Sequence, residues 1–216
     1  MIEDLSIFGE GSLTFQEFAM KEPLPLATVH EAVLEFLRGR TDAVLFGAHA
    51  VNVYVSEPRM TQDVDILALN AIELAEELRA YLNERFHIAV RTREIRDGIG
   101  YRIYQIQKPK NRHLVDVRPV TEFPPTQRVA EVLVVIPAEV IAGKVRAFHD
   151  RRGKPKSGTD WRDLALLLLA FPEFKTSSGP VRERLVAGGA DEAVLSVWDE
   201  IVAQPIDLPD EDSEFN

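Results

Sequence analysis

The sequence predicts an α/β core that gives way to a helical region at about residue 125, and three observations carry that expectation. Short apolar runs at Asp42–Phe46 and Val64–Leu69 alternate with helical patterns in the first half. Residues 87–118 read as strands separated by turn signals. From Pro137 onward the apolar spacing is helical. The expected organisation is a core at 1–125 with an irregular N-terminal arm, a helical region at 126–205 packed on it, and an acidic, disordered tail at 206–216.

Each element has its own signal. Residues 1–25 mix Gly9, Gly11, Pro23 and Pro25 and suggest an arm with a short strand near Ser12–Phe15. Thr28 is placed to cap a helix carrying Val29, Ala32, Val33, Phe36 and Leu37. Asp42–Phe46 is a short buried strand, and Ala48–Val55 a helix despite its β-branched residues. Val64–Leu69 is a second strand, followed by an Asn70-capped helix through Phe86. Strands are expected at Ile88–Arg91, Tyr101–Gln107 and His113–Arg118, with turns at Asp97–Gly100 and Pro109–Asn111. A loop at Pro119–Pro125 leads to a strand at Val132–Ile136. Pro137 suits a first helical position. Arg151–Gly158 reads as a basic, flexible loop, Thr159 or Asp160 as the cap of the next helix, and Gly179 and Asp191 as the openings of two more.

Composition narrows the classes. The chain has 216 residues, 45% of them apolar, which is ordinary for a globular protein. There is no cysteine, so disulfide frameworks and thiolate metal sites are excluded. The acidic start lacks a secretory pattern and the longest apolar run, Leu164–Phe171, is too short to span a bilayer, so no membrane association and a cytoplasmic location are expected. A net charge of −10 argues against a protein that coats nucleic acid. The charge is uneven, however: Arg85–Arg128 holds ten Lys/Arg against four Asp/Glu, and Lys144–Arg162 seven against two. Solvated faces account for such runs, and so does a local surface for a polyanion.

The stretch Leu45-Phe46-Gly47-Ala48-His49, followed by Arg59 through Leu67, concentrates the chemistry. Side chains alternate along a strand, so Asp63 and Asp65 share one face while Val64 and Ile66 pack behind. Two carboxylates this close repel unless a cation sits between them. Hard oxygen ligands suit Mg²⁺ (or Mn²⁺), which takes one or two carboxylates plus substrate phosphates. Gly47 and Ala48 in the preceding turn can offer backbone N–H groups to a phosphate. Asp-x-Asp arises often by chance, and an exposed strand face explains it alone. Asp116 tips the balance: it sits mid-strand in Leu114-Val115-Asp116-Val117, where aspartate is disfavoured, and a third carboxylate would complete a two-cation site.

Cationic and polar partners follow. Arg59 and Thr61 can contact phosphates or order the loop. Lys144, among apolar helix residues, is a point charge for a triphosphate or a snorkelling surface lysine. Asp163, before the run Leu164–Leu169, is a substrate-site residue or an anchor for Lys144 or an arginine. The histidines, His113 and His49 among them, show no zinc-ligand spacing.

These residues resemble the signature of the DNA polymerase beta-like nucleotidyltransferase superfamily: apolar strand, Gly-Gly or Gly-Ser, helix, Asp-x-Asp, and a later Asp. Here they are Gly47-Ala48, Asp63, Asp65 and Asp116. The form Arg59-x-Thr61-x-Asp63-Val64-Asp65-Ile66, with Lys144 and Thr159-Asp160-Trp161-Arg162-Asp163-Leu164, is similar to the branch of AbiEii-type toxins and related nucleotidyltransferase-like proteins. Ala48 stands where the family has a second Gly or Ser, and Thr159 where the later motif often has Lys. The resemblance, over roughly residues 42–170, implies a mixed sheet flanked by helices with a helical C-terminal extension.

It also implies a Mg²⁺- or Mn²⁺-dependent transfer of NMP from a nucleoside triphosphate to a hydroxyl on RNA, such as tRNA, or on protein. Asp63, Asp65 and Asp116 would be the metal ligands and, with Lys144, the catalytic set. Asp116 would also help deprotonate the acceptor. Gly47, Ala48, Arg59, Thr61 and Asp163 would serve the substrate. A cognate antitoxin is the implied partner. A nucleotidyltransferase-like module that binds without turnover, and a metal-dependent nuclease, are the competing readings.

Overall fold

The computed structural model describes residues 24–206 apart from Asp97. The expected strand near residues 12–15 and nearly all of the acidic tail lie outside the described residues. Seven strands form one sheet in the order β3-β4-β5-β2-β1-β7-β6. They are β1 (Ala43–Phe46), β2 (Val64–Ala68), β3 (Val90–Ile95), β4 (Gly100–Gln105), β5 (Arg112–Pro119), β6 (Thr126–Val129) and β7 (Val132–Val135). The sheet is mixed: β2 runs parallel to β5 and β1 to β7, while β1 and β2 are antiparallel.

Seven α-helices accompany it among the described residues: α1 (Leu26–Leu37), α2 (Gly47–Tyr54), α3 (Ala71–Phe86), α4 (Pro137–Asp150), α5 (Lys156–Ala170), α6 (Pro180–Ala187) and α7 (Glu192–Ala203). Helix α3 lies against β3, β4 and β5; α2 bridges the central strands to α4 and α5; α6 and α7 pack on α4. The central strands are the most buried: Val44, Val64, Ile66, Val115 and Val117 are shielded from solvent. Trp198 is fully buried too, and its indole N–H donates to the Thr176 carbonyl at 3.1 Å, tying α7 to the turn before α6.

Several expectations need correction. Helix α1 begins at Leu26, after Pro25, so Thr28 lies inside it and caps nothing. Asn70 does precede α3, but its side chain makes no capping bond. The strand expected at Ile88–Arg91 starts later and runs to Ile95. The loop before Val132 contains the unforeseen strand β6, whose Gln127 and Arg128 face solvent and so lack an alternating apolar signal. The β6–β7 hairpin completes the sheet beyond residue 125, and unbroken helix begins at Pro137. Helix α5 begins at Lys156, so the basic loop is shorter than expected and Thr159 and Asp160 sit within the helix. Asp191, by contrast, does cap α7, its carboxylate accepting from the Val194 N–H at 3.0 Å.

Candidate active site

Register brings the acids together. Asp65 of β2 is the direct partner of Asp116 on the parallel neighbour β5. Adjacent strands lie about 4.8 Å apart and paired residues point the same way, so the two carboxylates stand side by side. Asp63 precedes β2 by one residue, two before Asp65, while Val64 and Ile66 are fully buried. All three acids line one cleft of about 910 Å³.

Gly47 opens α2 directly after Phe46, which is itself paired with Asp65. Its φ of +68° is a left-handed conformation that favours glycine. A Cβ there would come within 2.1 Å of the Asp65 carboxylate oxygen Oδ2. The glycine therefore allows the start of a helix to press against a carboxylate. Gly47 and Ala48 line the cleft at that helix N-terminus, where unpaired N–H groups and the helix dipole favour an anion.

Helix α2 also grips the loop that follows. The Asn52 side chain donates to the Arg59 carbonyl at 2.8 Å and accepts from the Arg59 N–H at 3.1 Å. One turn earlier, His49 Nε2 and Thr61 Oγ1 share a hydrogen bond of 2.7 Å. The backbone of residues 59–61 is thus held from one helix face. Burial, then repulsion from His30 and Arg59, lowers the His49 pKa to about 4, so it is a neutral imidazole at ordinary pH. His30, packed edge-on at 4.7 Å, has a buried Nε2 with no hydrogen-bond partner.

The cationic wall comes from the helices. Arg59 forks onto Asp163, Nε donating at 2.7 Å and Nη2 at 2.9 Å. Lys144 of α4 reaches the same carboxylate at 2.6 Å and Asp160 at 3.5 Å. Arg151 completes the group with a 2.8 Å contact to Asp160. Asp163 is fully buried and does not line the cleft; its place is beneath Arg59 and Lys144, both of which do. Thr61 is buried at the cleft wall, held by His49.

Two site residues escaped the sequence reading. Arg102 of β4 lies opposite Asp116 and donates to both its oxygens, each at 2.9 Å. His113 stands between two acids, with Nε2 2.8 Å from Asp116 and Nδ1 3.1 Å from Asp63. Simple alternation would turn His113 away from Asp116, three positions on. The β4–β5 ladder shifts register, however, pairing Ile103 with Val115 and then Tyr104 with His113. That bulge at Leu114 brings His113 round to the acids. The pairing of a strand arginine with a strand aspartate across a hairpin was the available signal for Arg102.

The acids differ in their electrostatics. Burial, and next the charge of Asp63, lifts the Asp65 carboxyl to about 6. Burial also opposes ionisation of Asp116, but hydrogen bonds from His113 and Arg102 outweigh it and hold its pKa well below the usual carboxylate range. Donor atoms of Asp63, His113 and Asp116 all lie within 4.8 Å of one another. This set of two carboxylates and an imidazole, with Asp65 in register beside it, fits a divalent cation of the hard or borderline class.

A family model described as "Nucleotidyl transferase AbiEii toxin, Type IV TA system" matches residues 32–191. The chain belongs to the AbiEii nucleotidyl transferase toxin family. It is a nucleotidyltransferase-type enzyme, and the matched span contains Gly47, Asp63, Asp65, Asp116, Lys144 and Asp163. No curated protein sequence is similar enough to stand as a relative. Among solved structures, JHP933 from Helicobacter pylori superposes with a TM-score of 0.56 at 14% identity, covering 88% of this chain and 92% of that one. The Megavirus polyadenylate synthase gives the same TM-score and identity over 68% of this chain, which spans only 32% of that protein. At these identities the likeness establishes a shared fold. Among the described residues of this AbiEii-family chain, no helix is long and apolar enough to cross a membrane.

Proposed function

We propose that the cleft transfers a nucleoside monophosphate from an NTP to a hydroxyl group on RNA, such as tRNA, or on a protein, releasing pyrophosphate with the help of Mg²⁺ or Mn²⁺. The observation that carries this reading is the side-by-side register of Asp65 and Asp116, with Asp63 on the same face and Gly47 pressed against Asp65. Asp63, Asp65 and Asp116 would hold the cation, which when bound would neutralise triphosphate charge and polarise the phosphoryl centre.

The chain's own residues supply the rest. The N–H groups of Gly47 and Ala48 receive a phosphate at the start of α2. Lys144, fixed by Asp163, and Arg59 offset charge that develops on the phosphates, and their fixed positions make that stabilisation effective. Asp116, fixed by Arg102 and His113, would hold the cation and help deprotonate the acceptor hydroxyl. His113, with one ring nitrogen against Asp116 and the other against Asp63, positions both carboxylates. A toxin role, with a cognate antitoxin as partner, follows from the family.

Calorimetry with non-hydrolysable NTP analogues tests the reading. Binding should strengthen at least about tenfold when Mg²⁺ is added, and Asp63→Asn should remove most of that gain. Binding indifferent to Mg²⁺ would instead support a module that binds nucleotide without turnover.

A further inference from the structure

His113 lines the cleft between two of the three acids, and those two acids are unequally engaged. Asp116 has most of its capacity taken. Its Oδ1 accepts from Arg102 Nε and lies 2.8 Å from His113 Nε2, and its Oδ2 accepts from Arg102 Nη2. A carboxylate offers about four lone-pair sites, so about one is left for a cation. Asp63 is lightly held. Among the described residues its ion pair is with His113 alone, whose Nδ1 lies 3.1 Å from Asp63 Oδ2.

That second contact has the spacing of neighbouring ligands. Two donors at right angles around a cation, each bonded at about 2.1 Å, stand about 3.0 Å apart. The side chains of His113 and Asp63 are 25% and 34% exposed, so both are open to an ion from solvent.

A metal-ligating imidazole binds through one nitrogen and donates its other N–H to a carboxylate, which fixes the ring. Nδ1 beside Asp63 and Nε2 against Asp116 match those two tasks. The bulge at Leu114 turns the ring into this position. A histidine that only bridged two acids would make the same contacts, so the two roles part when a cation is bound. Nitrogen also changes which ion fits. Mg²⁺ takes oxygen ligands and keeps several waters, whereas first-row transition ions accept imidazole beside carboxylate.

We propose that His113 Nδ1 is a direct ligand of the divalent cation in this cleft, next to Asp63, and that this nitrogen makes the site select a first-row transition ion such as Mn²⁺ over Mg²⁺. His113 is thus a specificity-determining residue for the cation, added to the carboxylates. The inference rests on the nucleotidyl-transfer reading, which supplies the cation.

Pulsed electron paramagnetic resonance of Mn²⁺ bound to the full chain, prepared with ordinary and with ¹⁵N-labelled histidine, tests it. The wild type should show nitrogen modulation that changes from the ¹⁴N to the ¹⁵N pattern on labelling, and His113→Asn should abolish it. Calorimetry with each metal alone should show Mn²⁺ affinity falling about tenfold or more in His113→Asn while Mg²⁺ affinity stays within about threefold. Mn²⁺ bound without histidine-nitrogen coupling in the wild type overturns the proposal whether or not the variant folds. Coupling or a Mn²⁺ preference that survives His113→Asn overturns it too. Each of these results leaves a carboxylate-held cation and nucleotidyl transfer intact. No binding of either metal, with or without a non-hydrolysable NTP, would overturn both.

Discussion

Arg59 and Asp163, 104 positions apart in the chain, are joined by a two-pronged ion pair of 2.7 and 2.9 Å beneath the cleft. The pair ties the loop that precedes β2 to a helix of the C-terminal region, and Lys144 shares the same carboxylate at 2.6 Å. Removing the buried anion strands two cations at once. Asp163→Ala should destabilise the protein by about 3–5 kcal/mol, read as a shift in the urea midpoint. A loss under about 1 kcal/mol would mean that water screens the group as it does an exposed pair.

Gly47→Ala tests the approach of α2 to β2. The left-handed conformation costs an alanine about 1–2 kcal/mol, and its Cβ would collide with the Asp65 carboxylate at 2.1 Å. Both stability and nucleotidyl transfer should fall. Alanine at Ala48's neighbour tolerated without loss of either would show that the helix start is free to move away from Asp65.

Two buried groups give opposing pH dependences. Asp65 rises from 3.8 to about 6 on folding, so the folded protein holds a proton that the unfolded chain has released. Its contribution to stability is present at low pH and is lost as pH climbs through about 6. His49 falls from 6.5 to about 4, so the unfolded chain takes up a proton that the folded one refuses, and stability is lost as pH drops through that window. The slopes partly cancel in the wild type. Asp65→Asn should leave the histidine slope exposed, with stability rising with pH across the window, and should stabilise the metal-free protein at neutral pH by about 1–3 kcal/mol. Urea midpoints across the window measure both effects; an unchanged slope would contradict the assignment.

Arg102 would compete with a cation for Asp116, since both carboxylate oxygens accept from its guanidinium. Removing a positive charge beside a cation site should favour the cation. Arg102→Ala should tighten Mn²⁺ binding to the nucleotide-free protein by about fivefold or more, measured by the paramagnetic signal of free Mn²⁺. Arg102→Lys, which keeps the charge, should stay closer to the wild type. Weaker binding in Arg102→Ala would mean that the arginine orients Asp116 for the cation instead of opposing it.

The acid-bearing strand pair was legible because its signals are local. Alternation puts Asp63 and Asp65 on one face, and an aspartate inside an apolar strand marks Asp116. Gly47 was visible as a turn, and its φ and its contact with Asp65 give that turn a steric reason. What stayed hidden depends on pairing between distant segments. His113 joins the acids only through a bulge that no residue type announces, and Arg102 only through hairpin register. The β6 strand escaped because Gln127 and Arg128 point to solvent at the sheet edge. Helix starts were misplaced where Pro25 and Pro155, and not a hydroxyl or carboxylate side chain, precede the first turn.

The most direct test of the central claim is transfer of α-labelled nucleotide from each of the four NTPs to total RNA and to protein, with Mg²⁺, by the wild type and by Asp65→Asn. The wild type should label an acceptor only when the cation is present, and Asp65→Asn should lose at least about a hundredfold in rate while remaining folded. Absence of label on every acceptor, or equal labelling by Asp65→Asn, would contradict a metal-dependent nucleotidyl-transfer site built on Asp63, Asp65 and Asp116.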